Sequence, residues 1–310
     1  MSSEYASTTV TPSEAVYEEA WIPGPDGHEF YTRMYPAAMV QSSPSPRAVV
    51  LFVHGFADHA ARHEHEHRRW AAHDVVLFTY DQRGYGRTAL DPERGDRAYG
   101  RTSAQHTYED MAWWVEHLAK RYAGVPLFLM GYSAGGGYVA AFCTKSQWAE
   151  TVAKLSGVVA LSPLLTLTYP PPTLLYYTVR FLGKVAPNIT VPAPMPEERF
   201  SRDPAVADRL RNDPLRKAQA TPRALVDMFT ECDVLLHEGY WPRGLPLLVI
   251  HGTADEVNSC TTTKAWFDKL QTEDKTLSFI KDAYHDLANE IDDIPEQVMQ
   301  EYVSWVERHL

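Results

Sequence analysis

The sequence predicts an α/β fold: a mostly parallel central sheet flanked by helices, with an inserted helical cap. Three observations carry this. Short continuous apolar runs recur along the chain, each ending in small or polar residues. Runs this short, without polar alternation, fit strands buried on both faces, as a parallel sheet requires. Helix-like stretches lie between them, which is the alternation of an α/β layer architecture. Finally, Ser162 to Leu245 contains no clear buried strand. At roughly eighty residues, it is too long for an ordinary pair of crossover helices.

Taken in order, residues 1–14 are polar, rich in Ser and Thr, and read as a loose leader. Val16–Ile22 and Glu29–Tyr35 are strand-like, and Pro23-Gly24-Pro25-Asp26-Gly27 between them is a turn signal. An opening antiparallel hairpin is predicted. Gln41 to Pro46 is a surface loop. Buried strands follow at Val49–Val53, Val75–Tyr80, Leu127–Met130, Val158–Leu161 and Leu247–Ile250, with a weaker one at Thr276–Ile280. Helices are expected at Thr107–Tyr122, where Met111, Trp114, Val115 and Leu118 share a face, and at Ala134–Thr144, Thr262–Leu270 and Val298–Leu310. Within the insertion, Tyr169-Pro170-Pro171-Pro172 leads into apolar Thr173–Val185. Pro187–Pro196 and polar helical stretches near Pro204–Arg211 and Pro222–His237 complete it. The core is thus expected in two parts, residues 15–162 and 244–310, with the cap at residues 163–243.

Composition narrows the function classes. The chain has 310 residues, 45% of them hydrophobic, enough for a large core. Its net charge of -11 repels phosphate backbones, so no nucleic-acid partner is expected. Cys143, Cys232 and Cys260 are too sparse for a disulfide framework or a zinc knuckle and read as free thiols of a reducing compartment. The first residues lack the basic start and apolar stretch of a signal peptide. No apolar run approaches the ~18 residues of a membrane span. A soluble, cytoplasmic chain is expected. His59, His63, His65, His67 and His73 are dense, and His63 and His67 are one helical turn apart. That spacing can bind zinc. No third ligand is evident, however, and Arg62, Arg68 and Arg69 would repel a cation. A solvated helix face, and no metal, is the expectation.

The chemistry concentrates at Gly131-Tyr132-Ser133-Ala134-Gly135. A strand precedes it and a helix follows, so Ser133 sits on a sharp strand-to-helix turn with its hydroxyl at a helix N-terminus. A serine hydroxyl needs an adjacent base, itself oriented by an acid. In chain order the acid should follow a late strand, and Asp255 follows Leu247–Ile250; Glu256 is its local competitor. The loop Ser162–Pro172 holds no carboxylate, which strengthens Asp255. The base should follow the last strand, where His285 stands. Two amides should hold the oxyanion: that of Ala134, just after the nucleophile, and that of Phe56, in the turn His54-Gly55-Phe56 after Val49–Val53.

These residues resemble the monoacylglycerol lipase branch of the α/β-hydrolases, grouped with the serine aminopeptidase-like sequences. The resemblance runs from about Glu18 to Leu310. It is carried by His54-Gly55-Phe56-Ala57-Asp58-His59, Tyr80-Asp81-Gln82-Arg83-Gly84-Tyr85-Gly86, Gly131-Tyr132-Ser133-Ala134-Gly135-Gly136, His251-Gly252-Thr253-Ala254-Asp255 and Tyr284-His285-Asp286-Leu287-Ala288-Asn289-Glu290. Ser201-Arg202-Asp203-Pro204 and Asn212-Asp213-Pro214-Leu215 in the cap are the most specific pieces. The chain departs from the branch at Tyr132 and Ala134, where His and Met are common, and at Asp58 and His63, where Glu and Tyr are.

The resemblance implies hydrolysis of a monoacylglycerol to glycerol and a fatty acid through an acyl-enzyme, with no cofactor. The apolar cap suits an acyl tail. Asp58, Tyr132, Leu164, Leu174 and Leu175 are the candidate substrate contacts. The stretch Thr173–Val185 suits either the pocket's inner wall or peripheral contact with a membrane or lipid droplet, and the wall is preferred because Arg180 interrupts it. A broader carboxylesterase is the alternative reading, and a ligand-binding protein on a hydrolase scaffold is the reading from another class.

Overall fold

The computed structural model describes residues 16–37 and 45–310. The expected leader and most of the loop at Gln41–Pro46 lie outside the described residues. The strands are β1 (Glu18–Pro23), β2 (Glu29–Tyr35), β3 (Ala48–Val53), β4 (Val75–Tyr80), β5 (Leu127–Tyr132), β6 (Gly157–Leu161), β7 (Val191–Pro192), β8 (Gln219–Ala220), β9 (Leu247–Gly252) and β10 (Lys275–Ile280). The helices are α1 (Glu64–Trp70), α2 (Gly86–Leu90), α3 (Ala104–Arg121), α4 (Ala134–Thr144), α5 (Ala149–Val152), α6 (Thr173–Val185), α7 (Pro204–Asn212), α8 (Pro222–Glu238), α9 (Cys260–Lys269) and α10 (Ile294–Glu307).

Eight strands form one sheet in the order β1-β2-β4-β3-β5-β6-β9-β10. β1 and β2 are the predicted antiparallel hairpin, and β2 also runs antiparallel to β4. Every other neighbouring pair in this sheet is parallel. β3, β4, β5, β6 and β9 are buried along their whole length, because helices cover both faces. Alternate residues divide between two cores. Val49, Leu51 and Val53 pack with Met111, Trp114 and Val115 of α3, whereas Val50 and Phe52 pack with Val298 and Tyr302 of α10. β10 is the edge strand and is half-exposed, which is why its apolar signal is weak.

Two helices start earlier than the apolar pattern. α3 begins at Ala104, three residues before the first expected position, because Ser103 accepts a hydrogen bond from the His106 amide. α10 begins at Ile294, four residues early, with a proline in its first turn.

Between β6 and β9 the chain adds no strand to the main sheet. α6, α7 and the short β7–β8 ribbon lie in this insertion. α8 departs from the expected polar stretch. Leu225, Met228, Cys232 and Leu235 form a buried stripe at helical spacing, inside the same core as α4. Polar residues on its other face hid that stripe in the sequence. The expected solvated histidine face is likewise overturned: His63 and His67 are buried, next to Phe52. No described helix is long and apolar enough to cross a membrane.

Candidate active site

β5 ends at Tyr132 and α4 begins at Ala134, so Ser133 occupies the whole turn, at φ 56° and ψ −120°. The two glycines of the motif permit this because backbone crowds them. A Cβ on Gly131 would lie 2.5 Å from the Gly135 carbonyl oxygen, and one on Gly135 would lie 2.3 Å from that of Val53. The Ser133 amide donates to the Leu161 carbonyl (2.9 Å), and its own carbonyl accepts from Leu164 (2.8 Å), which pins the turn to the end of β6.

Loops at the C-terminal ends of β5, β9 and β10 bring Ser133, Asp255 and His285 together. His285 Nε2 lies 2.9 Å from Ser133 Oγ, and His285 Nδ1 lies 2.7 Å from Asp255 Oδ2. With Nδ1–H donating to the carboxylate, the Nε2 lone pair faces the serine hydroxyl. Asp255 Oδ1 accepts from the amides of Val257 (2.7 Å) and Asn258 (2.8 Å), and Oδ2 also accepts from His251 Nε2 (3.0 Å). Burial would raise the Asp255 carboxyl, but the facing His285 and His251 imidazoles outweigh it and hold it well below the usual carboxylate range. The acid is therefore ionised at neutral pH. Glu256, the local competitor, turns away to Arg199 of the insertion at 3.6 Å.

His285 is fixed on every side. Its carbonyl accepts from Ser162 Oγ (2.9 Å), and Tyr132 and Phe200 pack against its ring at 5.1 and 5.4 Å. The Asp286 amide donates to the Phe200 carbonyl at 2.7 Å. Phe200 comes from the insertion, so the base is packed from both the core and the cap.

Phe56 and Ala134 line the same cavity as Ser133. Ala134 is the first residue of α4, so its N–H has no carbonyl partner within the helix. The Phe56 turn is held from behind. His54 Nε2 accepts from the Gln82 amide (2.9 Å), and Gln82 Nε2 donates to the His54 carbonyl (2.7 Å). Complete burial depresses His54 to about 4, so it is a neutral brace.

The cavity holds about 300 Å³, with mainly apolar walls that include Leu164, Leu175, Val179, Met195 and Phe229. Of the expected substrate contacts, Leu164, Leu175, Tyr132 and Asp58 line it. Leu174 does not: it lies on the outer side of α6 and is 81% exposed. The inward side of α6 runs through Leu175, Tyr176, Val179 and Arg180, and Leu174 falls outside it. Asp58 has little left to offer a ligand. Its carboxylate takes a paired bond from Arg62 (2.6 and 2.7 Å) and a contact from His63 Nε2 (2.9 Å). Burial would raise Asp58, but the Arg62 guanidinium and the bonds from Arg62 and His63 outweigh it and keep it ionised. Arg62 extends the network to Asp286 at 2.5 Å. The tyrosine hydroxyl of Tyr132 is buried with no hydrogen-bond partner among the described residues, and its ring serves mainly as backing for His285.

Residues 44–292 match the model of the serine aminopeptidase, S33, family. The chain belongs to that family. It is similar to a monoacylglycerol lipase of Mycolicibacterium smegmatis, 28% identical over 86% of this chain and 90% of the relative. The Homo sapiens monoglyceride lipase is 27% identical over 98% and 95%. A soluble variant of monoglyceride lipase from Saccharomyces cerevisiae, crystallised with a substrate analog, superposes with a TM-score of 0.83 at 22% identity, covering 97% of this chain and 98% of that one. The chain is thus a monoacylglycerol lipase-like α/β-hydrolase of the S33 family.

Sequence reasoning missed the braces of this S33 site: Gln82, Ser162, Phe200, His251 and Asn258. Only His251 carried a signal, as a polar residue ending a buried strand. The others act through contacts between segments distant in sequence.

Proposed function

We propose that this hydrolase cleaves monoacylglycerols to glycerol and a free fatty acid. The observation that carries this reading is Ser133 Oγ, 2.9 Å from His285 Nε2, at the wall of an apolar cavity of about 300 Å³. That volume is at the small end for ligand pockets, which suits one acyl chain and disfavours three.

In the first half-reaction, Ser133 Oγ attacks the ester carbonyl carbon while His285 Nε2 takes the hydroxyl proton. Asp255 stabilises the imidazolium and fixes its tautomer. The amides of Phe56 and Ala134 hold the oxyanion. The C–O bond to glycerol breaks, His285 returns the proton to the departing alkoxide, and an acyl-serine remains. A water then adds under the same base, and the fatty acid leaves with Ser133 regenerated. The names of the relatives support the glycerol ester as substrate.

The outer side of α6 supports a further part of this reading. Leu174, Tyr177, Phe181 and Val185 form a stripe, each at least 60% exposed. Such a stripe beside the cavity suits transient contact with the lipid surface from which the substrate comes.

Turnover of mono-, di- and triacylglycerols of varied chain length, with short non-glycerol esters alongside, tests the proposal. Monoacylglycerols should give the highest kcat/KM; a preference for short non-glycerol esters would overturn the substrate. Ser133→Ala should lower kcat on the order of 10⁴-fold. Retention of a few per cent of activity would overturn the assigned nucleophile.

A further inference from the structure

Behind His285, on the side away from the acyl cavity, the α1 segment buries a second cluster. His63 and Glu66 line a small void together with His285, Asp286 and Tyr302, with space for about one water molecule (≈ 10 Å³). His67, one turn on from His63, is fully buried. One ligand atom from each of His63, Glu66 and His67 lies within 4.8 Å of the other two. We propose that these three residues bind one divalent transition-metal ion, with zinc as the species their chemistry fits best.

Four observations support the site. First, three of its polar atoms lack partners. Both ring nitrogens of His67 and Glu66 Oε1 are buried with no hydrogen-bond partner among the described residues. Burying such groups unpaired is costly, so a ligand that engages them is favoured. Second, the donor set is two imidazoles and one carboxylate, with room for a single water as the fourth ligand. That set suits four-coordinate zinc. Bonds of about 2.0–2.2 Å need ligand atoms roughly 3.5 Å apart, so side-chain closure of about an ångström completes the shell. Third, the outer partners exist. His63 Nε2 lies 2.9 Å from Asp58 Oδ2. Donation of that N–H to Asp58 leaves the Nδ1 lone pair for the ion, the carboxylate–histidine–metal arrangement that orients ligating histidines. Fourth, acidic groups outnumber basic ones: Asp58, Asp286 and Glu66 share one guanidinium, Arg62, which Asp58 and Asp286 already hold.

The neighbouring arginines counted against a cation when only sequence was considered. The structure removes that objection for Arg68, which is exposed on α1, and for Arg69, which reaches away to Glu296. Arg62 is neutralised by its carboxylate pair.

The test uses the full-length protein, stripped with a chelator, desalted and titrated with zinc sulfate by calorimetry. One zinc per chain should bind in the micromolar range or tighter and raise Tm by several degrees. Cobalt(II) in its place should give the intense visible absorption of a tetrahedral complex. Glu66→Gln and His67→Gln should each weaken binding by at least about tenfold, while His65→Gln, on the exposed side of α1, should leave it unchanged. No uptake, an octahedral cobalt spectrum, or uptake lost in His65→Gln but kept in Glu66→Gln would overturn the proposal. If His67→Gln does not fold, Glu66→Gln and the cobalt spectrum of the unaltered protein still decide it.

Discussion

Ser133 is held at a positive φ that a non-glycine residue rarely adopts, a conformation that costs on the order of 1–3 kcal/mol. Three backbone hydrogen bonds, to Leu161, Leu164 and Gly137, hold the turn in place. The strain directs the hydroxyl outward to meet His285. His54 shows a different residue-scale device. Burial keeps its imidazole neutral, depressed to about 4 from an ordinary 6.5, so that Nε2 can accept the Gln82 amide. The sign follows from linkage: the unfolded chain protonates His54 first as pH falls. The stability tied to His54 is whole above about pH 6.5 and is lost as pH drops through 4, a range worth roughly 3 kcal/mol. Urea unfolding between pH 7 and 4 should therefore show a shallower acid decline for His54→Asn than for the parent. Parallel slopes would place the acid sensitivity elsewhere.

Helix α6 is apolar on two sides. Leu175, Tyr176 and Val179 face the cavity, whereas Leu174, Tyr177, Phe181 and Val185 face solvent. The two expectations for this stretch, inner wall or lipid contact, thus divide between its faces, the second as a proposal. Phe181→Asp combined with Tyr177→Asp should reduce co-sedimentation with phospholipid vesicles severalfold, because a charge on the contact face opposes insertion. Hydrolysis of a water-soluble ester should be largely unchanged, since neither residue lines the cavity. Equal vesicle binding by parent and variant would remove α6 as the contact face. α8 illustrates the opposite case, a helix that reads as polar yet carries a core stripe through Leu225, Met228, Cys232 and Leu235.

At the scale of the whole molecule, the site is completed where the insertion meets the loops after β9 and β10. Glu290 is the main fastener. Its buried carboxylate accepts from Arg202 Nε of the insertion (3.0 Å) and from the amides of Tyr284 (2.8 Å) and Ile291 (3.0 Å), which flank His285 in the chain. His59 and Asp213 make a second fastening, 2.7 Å apart between the core and the insertion. Burial opposes charge on His59, but Asp213, Asp58 and Asp81 outweigh it and raise its basicity. Glu290→Ala should cost about 2 kcal/mol of stability, because the amides of Tyr284, Ile291 and Arg202 lose their acceptor while the Arg202 guanidinium can still reach water. It should also lower kcat more than it changes KM, since the loop that carries the base loosens. Denaturant unfolding and steady-state kinetics on the same preparation measure both effects, and an unchanged kcat would separate Glu290 from the geometry of His285.

The amino-acid sequence alone determined the α/β layers, the strand-turn-helix at Ser133, and the order of Ser133, Asp255 and His285. These are local facts: apolar runs mark strands buried on both faces, and a motif states its own turn. The meeting of the three side chains required the parallel sheet, which places the ends of β5, β9 and β10 at one edge. Only the tertiary structure decided which side of a helix met the core. That choice turned Leu174 outward, buried the α8 stripe, and enclosed His63, Glu66 and His67 where a solvated face was expected. Burial is a property of neighbours from distant segments, and a polar residue carries no local mark of whether another layer will cover it. Where that layer lacks partners for its polar atoms, as beside His67, the demand for a ligand appears only after folding.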